Sequence, residues 1–217
     1  RCSLTVAIPV LSAMGHQCCP IPTAILSNHT EFPVYFFDDY TEKMTTYTDK
    51  WKELGLSFDA IATGFLGSEA QIGIVMEIVQ KLKAEKTFVV VDPVMGDHGH
   101  AYETYTPEMC EQMKELVCMA DVVLPNVTEC CILTDTPYRE ENWTRKELLN
   151  MAMMLRLMGA KSVVITGVRE GSCYTNVVLE QGQYDAKFIR TRSSGGERPG
   201  TGDVFSSVVA GALLNGK

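Results

Sequence analysis

Near the end of the chain, Pro199-Gly200-Thr201-Gly202-Asp203 stands at the start of an apolar run with helical spacing. Gly200 and Gly202 let consecutive backbone N–H groups point into one concavity, and a helix amino terminus adds partial positive charge. With Thr201 between them, they form a cradle that holds a phosphate undergoing transfer and stabilises its developing charge. A carboxylate beside that phosphate is unfavourable for binding alone. Asp203 is justified there by a task, namely taking the proton from an attacking hydroxyl. The competing reading is an Asp that N-caps a helix after a glycine turn. Acidic residues upstream tip the balance against it.

Those residues recur where apolar runs stop. Asp92 and Asp97 lie in Asp92-Pro93-Val94-Met95-Gly96-Asp97, Asn126 and Glu129 in Pro125-Asn126-Val127-Thr128-Glu129, and Thr166-Gly167 closes a third run. Three carboxylates on neighbouring strand ends repel one another unless a divalent cation or a phosphate–metal group sits among them. Mg²⁺ prefers a few carboxylates with waters and substrate phosphates. A nucleotide site with Asp92 and Glu129 toward the metal is the chemistry this implies. Asp92 and Asn126 equally suit the capping of turns, and that alternative stays open.

These residues need elements to hold them. Residues 4–14 are apolar almost throughout and contain Pro9, which predicts a buried, kinked helix ended by Gly15. Residues 17–26, broken by Pro20 and Pro22, predict a short strand running into a polar loop at 27–30. The aromatic stretch 31–40 suits a core edge or a flap over a ligand. Met44, Tyr47, Trp51 and Leu54 mark a helix over 41–54, and Ile72, Val75, Val79 and Leu82 mark another. Residues 87–91, 121–124 and 161–166 are short apolar runs, as in strands covered on both faces. Thr106-Pro107 opens a helix between the first two, and the Thr144/Glu147 capping box opens one that Gly159 ends. Residues 173–178 and 184–189 predict an antiparallel hairpin, and a last helix from Gly202-Asp203 is expected to bury Phe205, Val208, Val209 and Leu213. Helices alternating with apolar strands predict an α/β fold, a mostly parallel sheet with helices on both faces. In such a sheet ligands bind beyond the carboxyl ends of the strands.

Composition narrows the partners. The chain has 217 residues, 46% hydrophobic and 21% charged, and a net charge of -8. That amount of apolar surface supports a real core. A field of that sign repels phosphate backbones, so nucleic acid is not an expected partner. No apolar run approaches the ~20 residues of a spanning helix. The eight cysteines include the adjacent pairs Cys18-Cys19 and Cys130-Cys131 and no C-x-x-C, which predicts reduced, buried thiols of a cytoplasmic protein. With four histidines, a structural zinc site is not expected.

Taken in order, Asp92 to Asp97, Pro125-Asn126 with Glu129, Thr166-Gly167 and Gly200 to Asp203 resemble the ribokinase superfamily. Thr23 followed by Ser27-Asn28-His29-Thr30 resembles its pyridoxal kinase branch. The resemblance spans nearly the whole chain and implies a three-layer α-β-α fold over 1–217. It implies ATP-dependent phosphorylation of the hydroxymethyl group of pyridoxal, pyridoxine or pyridoxamine. Asp203 is then the catalytic base and Gly200, Thr201 and Gly202 the anion hole. Asp92, Asp97, Asn126, Glu129, Thr166 and Gly167 border ATP, with Asp92 and Glu129 near Mg²⁺, while Thr23, His29 and Phe65 line the substrate pocket. A homodimer is implied as well, and room is left for a monovalent cation such as K⁺.

Some features depart from that pattern. The chain is expected to lack the family's first strand and its C-terminal segment. Leu124 stands where relatives often have Thr, and Phe65 where some have Tyr. Ser194-Gly195-Gly196-Glu197-Arg198, ahead of the cradle, is also unusual for the family. The related hydroxymethylpyrimidine kinases commonly place Cys where Asp203 stands. They are the enzyme alternative, and a non-catalytic pyridoxal-binding relative is the other.

Overall fold

The computed structural model describes residues 3–28, 32–195 and 198–217. The chain opens with α1 (Leu4–Ala13), then β1 (Ala24–Leu26) and β2 (Phe37–Asp39), which pair antiparallel as a separate hairpin. There follow α2 (Thr41–Glu53), β3 (Ala60–Thr63), α3 (Glu69–Leu82) and β4 (Phe88–Val91). A small hairpin, β5 (Gly96–Asp97) with β6 (His100–Ala101), leads to α4 (Pro107–Cys118), β7 (Val122–Val123), α5 (Val127–Leu133) and α6 (Arg145–Met158). The chain continues through β8 (Ser162–Glu170), β9 (Cys173–Leu179) and β10 (Lys187–Arg192) to α7 (Thr201–Leu214).

The main sheet has the order β10-β9-β8-β7-β4-β3, parallel from β3 to β8 and antiparallel at the β9 and β10 edge. Its central strands read as unbroken apolar runs because both faces are covered. Val89, Val91, Val123, Val163 and Ile165 face the core shared with α3, α4, α5 and α6. Their alternates Val90, Val122, Leu124 and Val164 face α1 and α7 through Leu11, Phe205, Val209, Ala210 and Leu213. The result is the expected three-layer α-β-α arrangement. The two helices of the second layer come from opposite ends of the chain. His16 Nε2 lies 3.0 Å from the Gly211 carbonyl, and Asn215 Nδ2 donates to the Met14 carbonyl at 3.4 Å.

Local chemistry sets the boundaries. Thr106 caps α4 with Pro107 in its first turn, and Thr144 and Glu147 form the reciprocal capping box of α6, which ends at Gly159 with φ 135°. In the β5–β6 turn His98 and Gly99 both have positive φ, as a tight hairpin of this hand requires. Gly96 is obligatory there, since a Cβ would fall 2.3 Å from the His100 carbonyl oxygen.

Several expectations need correction. Helix α1 forms, but none of its residues is buried, and Leu4 and Ile8 are each 36% exposed. An apolar helix reads as buried all round, yet this one packs only one stripe inward. Val208 is likewise exposed, on the outer side of α7, and Leu54 lies beyond the end of α2 in solvent. Cys19 and Cys118 are exposed while Cys130 and Cys131 are buried; all the described cysteines are free thiols. The third apolar strand runs on to Glu170 through an irregularity between Ile165 and Val168, where its pairing with β9 continues past polar residues. Strand β10 begins later than predicted, leaving Tyr184 exposed in the turn. Strand β3, helix α5 and the β5–β6 hairpin are elements the periodicity does not reveal. Ala60-Ile61-Ala62-Thr63 is only four residues long with two alanines, and the other two are too short for a periodic signal.

Candidate active site

The carboxyl ends of β3, β4, β7 and β8 lie along one edge of the sheet, and the sequence-predicted residues follow them. Thr63-Gly64-Phe65 continues from β3, Asp92 from β4 and Asn126 from β7. Thr166 within β8 bridges to Asn126.

Helix α7 begins from Gly200, whose φ of 88° is left-handed and strongly favours glycine. With no side chain at this N-cap, the first-turn N–H groups of α7 have no capping acceptor from it. Thr201 and Gly202 are exposed, and nothing lies within 4 Å of where a Gly202 Cβ would be. The turn is therefore open to an anion. Asp203 is half-buried in the same turn, and its Oδ2 accepts from the Ser3 backbone N–H at 2.9 Å. Its carbonyl accepts from the Ser207 hydroxyl at 2.6 Å.

Asp92 belongs to the same cluster. Burial pushes its carboxyl up to about 7; the Ser206 hydroxyl draws it down, and the negative charge of Asp203 pushes it further up. Ser206 lies one helical turn beyond Asp203, a spacing that puts both on one face of α7, and it is a site residue that the motif alone did not single out. Glu129 is 4% exposed, and burial followed by the charge of Asp92 holds it well above the usual carboxylate range. Its oxygens are engaged by the backbone: Oε2 accepts from Asn126 N–H at 2.7 Å and Oε1 from Met95 N–H at 3.1 Å. Asn126 completes the capping box by accepting from Glu129 N–H at 2.9 Å, and its Nδ2 donates to the Gly96 carbonyl at 2.9 Å. The capping alternative for Asn126 is thus realised, with the side chain at the strand end all the same.

Asp97 is exposed and accepts from the His98 N–H at 2.8 Å. Thr166 N–H donates to the Pro125 carbonyl at 2.9 Å, and Gly167 has φ +73° at the irregularity of β8. On the other side of Asp92, toward β3, Thr23 and Phe65 meet: the Thr23 hydroxyl donates to the Phe65 carbonyl at 3.1 Å. His29 lies outside the described residues, as do Gly196 and Glu197 of the segment before the cradle.

The described residues hold no group of three or more His, Cys, Asp or Glu side chains arranged as a metal site. Their carboxylates nonetheless fit a single Mg²⁺ held mainly by phosphates. Asp92 and Glu129 repel each other and carry raised pKa values, a strain that a cation relieves. Of the two, Asp92 has surface to offer an ion, whereas Glu129 is enclosed.

A doubly covered sheet whose carboxyl edge faces the amino terminus of a helix that starts from a glycine turn is the architecture of the ribokinase-type kinases. Within that class the chain belongs to the phosphomethylpyrimidine kinase family, whose family model matches residues 8–217. It is similar to the pyridoxal kinase of Dictyostelium discoideum, 28% identical over 222 residues that cover 94% of this chain and 71% of the relative. Among solved structures, a Bacteroides thetaiotaomicron protein assigned as a phosphomethylpyrimidine kinase, in an orthorhombic form with pyridoxal, superposes with a TM-score of 0.94 at 40% identity. That match covers 100% of this chain and 77% of the other. Pyridoxal kinase from Lactobacillus plantarum superposes with a TM-score of 0.90 at 30% identity, covering 100% and 76%. Among the described residues, no helix is long and apolar enough to cross a membrane.

Proposed function

We propose that the protein transfers the γ-phosphoryl group of ATP to the 5′-hydroxymethyl group of a vitamin B6 vitamer, as in pyridoxal phosphate salvage. One observation carries the reading: Asp203 stands in the first turn of a helix whose amino terminus is open to an anion. Asp203 accepts the proton of the attacking hydroxyl as the oxygen–phosphorus bond forms. The bond from the γ-phosphorus to the β-bridging oxygen breaks, and ADP leaves with that oxygen. The first-turn N–H groups at Gly200 to Gly202 meet the charge on the transferring phosphoryl group. Asp97, Asn126, Thr166 and Gly167 border the nucleotide, while Thr23, His29 and Phe65 border the vitamer. Asp92, with Glu129 behind it, would hold Mg²⁺, which when bound neutralises charge on the ATP phosphates.

Free thiols support a reducing, cytoplasmic setting. The exposed apolar cluster of Phe32, Val34 and Phe36 supports a homodimer. The test is steady-state phosphorylation by Mg-ATP of a panel: pyridoxal, pyridoxine, pyridoxamine, hydroxymethylpyrimidine and ribose. Turnover of a B6 vitamer ahead of the others is expected. Preference for hydroxymethylpyrimidine would move the protein to the thiamine branch, and pyridoxal binding without turnover would make it a non-catalytic relative.

A further inference from the structure

Gln71, in the first turn of α3, is fully buried. It shares a helix face with Val75 and Ile78, where an apolar side chain would be expected. An amide buried there is costly unless its polar atoms are partnered. Oε1 accepts from the Gly67 N–H at 2.7 Å. Nε2 donates to the Thr23 carbonyl at 2.8 Å and the Thr41 hydroxyl at 2.9 Å, and lies 3.1 Å from Asp39 Oδ1. This orientation is the one the neighbours dictate, because a flipped amide would set its oxygen against acceptors.

Each partner belongs to a different piece of the substrate side. Thr23 precedes β1, Asp39 ends β2, Thr41 opens α2, and Gly67 lies in the loop that follows β3 and carries Phe65. Two further bonds close the cluster. Tyr40 N–H donates to the Thr23 carbonyl at 3.1 Å, and the Thr23 hydroxyl reaches the Phe65 carbonyl. Bonds from the Thr41 side chain and backbone, with burial opposing and Gln71 adding, hold the Asp39 carboxyl below its usual range. Asp39 is therefore a charged acceptor for the amide.

We infer that Gln71 is a positioning residue for the acceptor substrate: its amide latches the β1–β2 hairpin, with Thr23, to the loop that carries Phe65. The substrate's identity rests on the function proposed above, while the latch rests on the bonds alone. The residues bordering the nucleotide make no described bond to Gln71, so its effect is one-sided.

Two variants and two measurements test this. Gln71→Leu keeps the bulk and removes every bond. Amide exchange at Ser27, Phe36 and Tyr40 should quicken by about tenfold, on the scale of a lost buried hydrogen bond, with exchange in β4 and β8 unchanged. The KM for pyridoxal should rise by about tenfold and that for ATP stay within about twofold, the split expected when only one substrate's wall shifts. In Gln71→Glu the protonated acid keeps one donor for the Thr23 carbonyl, whereas the carboxylate faces that carbonyl and Asp39. Its pyridoxal KM, relative to the wild type, should therefore climb as pH rises. If Gln71→Leu does not fold, Gln71→Glu carries both measurements. Unchanged hairpin exchange, or equal rises in both KM values, overturns the inference. Should the wild type phosphorylate no B6 vitamer, the functional reading falls, and hairpin exchange alone decides the latch.

Discussion

Asp203 and Asp92 face each other from α7 and the end of β4, and their different surroundings give them different expected behaviour. In the proposed mechanism Asp203→Asn preserves shape and removes the base. Loss of a general base should lower kcat by roughly 10²–10⁴, with KM for ATP little changed. Near wild-type turnover of pyridoxal would show that the proton goes elsewhere. Asp92 gives a pH signature instead. Its folded-state pKa of about 7 lies above the ordinary 3.8. Between those values the folded form holds a proton that the unfolded chain has released. Stability is thus fully present below the lower value and declines as pH rises through the higher one. Asp92→Asn removes that decline. In metal-free buffer its Tm should exceed the wild type's at pH 8, and the gap should close by about pH 4. A gap constant with pH would contradict the assignment. That Asp92, Asn126 and Glu129 lie by strand ends and Asp203 at a helix start was legible in the sequence, because acid and amide residues follow apolar runs in the first three and a glycine turn precedes one in the last. Gln71 and Ser206 were less so: each is a polar residue inside a helix, and what it touches depends on elements distant in sequence.

Helix α5 shows how a short element can serve two ends. Its cap, Asn126, also ties down the β5 hairpin through the Gly96 carbonyl. Thr144 caps α6 by the same reciprocal bonds, and among the described residues its side chain bonds only to Glu147 of its own helix. Asn126→Ala and Thr144→Ala should each lower stability by about 1 kcal/mol, as loss of an N-cap does, measured by urea unfolding. Only Asn126→Ala should also raise the KM for ATP, since it alone releases a strand end in the proposed nucleotide site. Equal kinetics in the two variants would reduce Asn126 to a cap. The caps themselves were readable, because Thr-Pro and Thr-x-x-Glu announce a helix start by local chemistry alone. The limits of β10 and β8 were not. Where a strand stops depends on its partner, and the polar Arg169 and Glu170 continue β8 only because β9 lies beside it.

Across the whole molecule the sheet's two faces are covered unequally. Several helices, each close in sequence to the strands it covers, pack one face. The other face rests on α1 and α7, joined by contacts between residues about 200 apart: Ser3 to Asp203, His16 to Gly211, Met14 to Asn215. The alternation of strands with helices made the first layer foreseeable, whereas nothing local indicated that α1 and α7 would meet. That meeting sets an order of events. Long-range closure carries an entropic cost that local pairing does not, so this docking is expected after the strands between have paired. His16→Ala, which removes one link between the two helices, should leave the folding rate nearly unchanged and speed unfolding, as read from the two arms of a chevron plot. A slowed folding arm would place the link in the nucleus instead. In the proposed mechanism, a chain whose strands have paired but whose α7 has not docked on α1 would carry the acidic strand ends without the group that takes the proton.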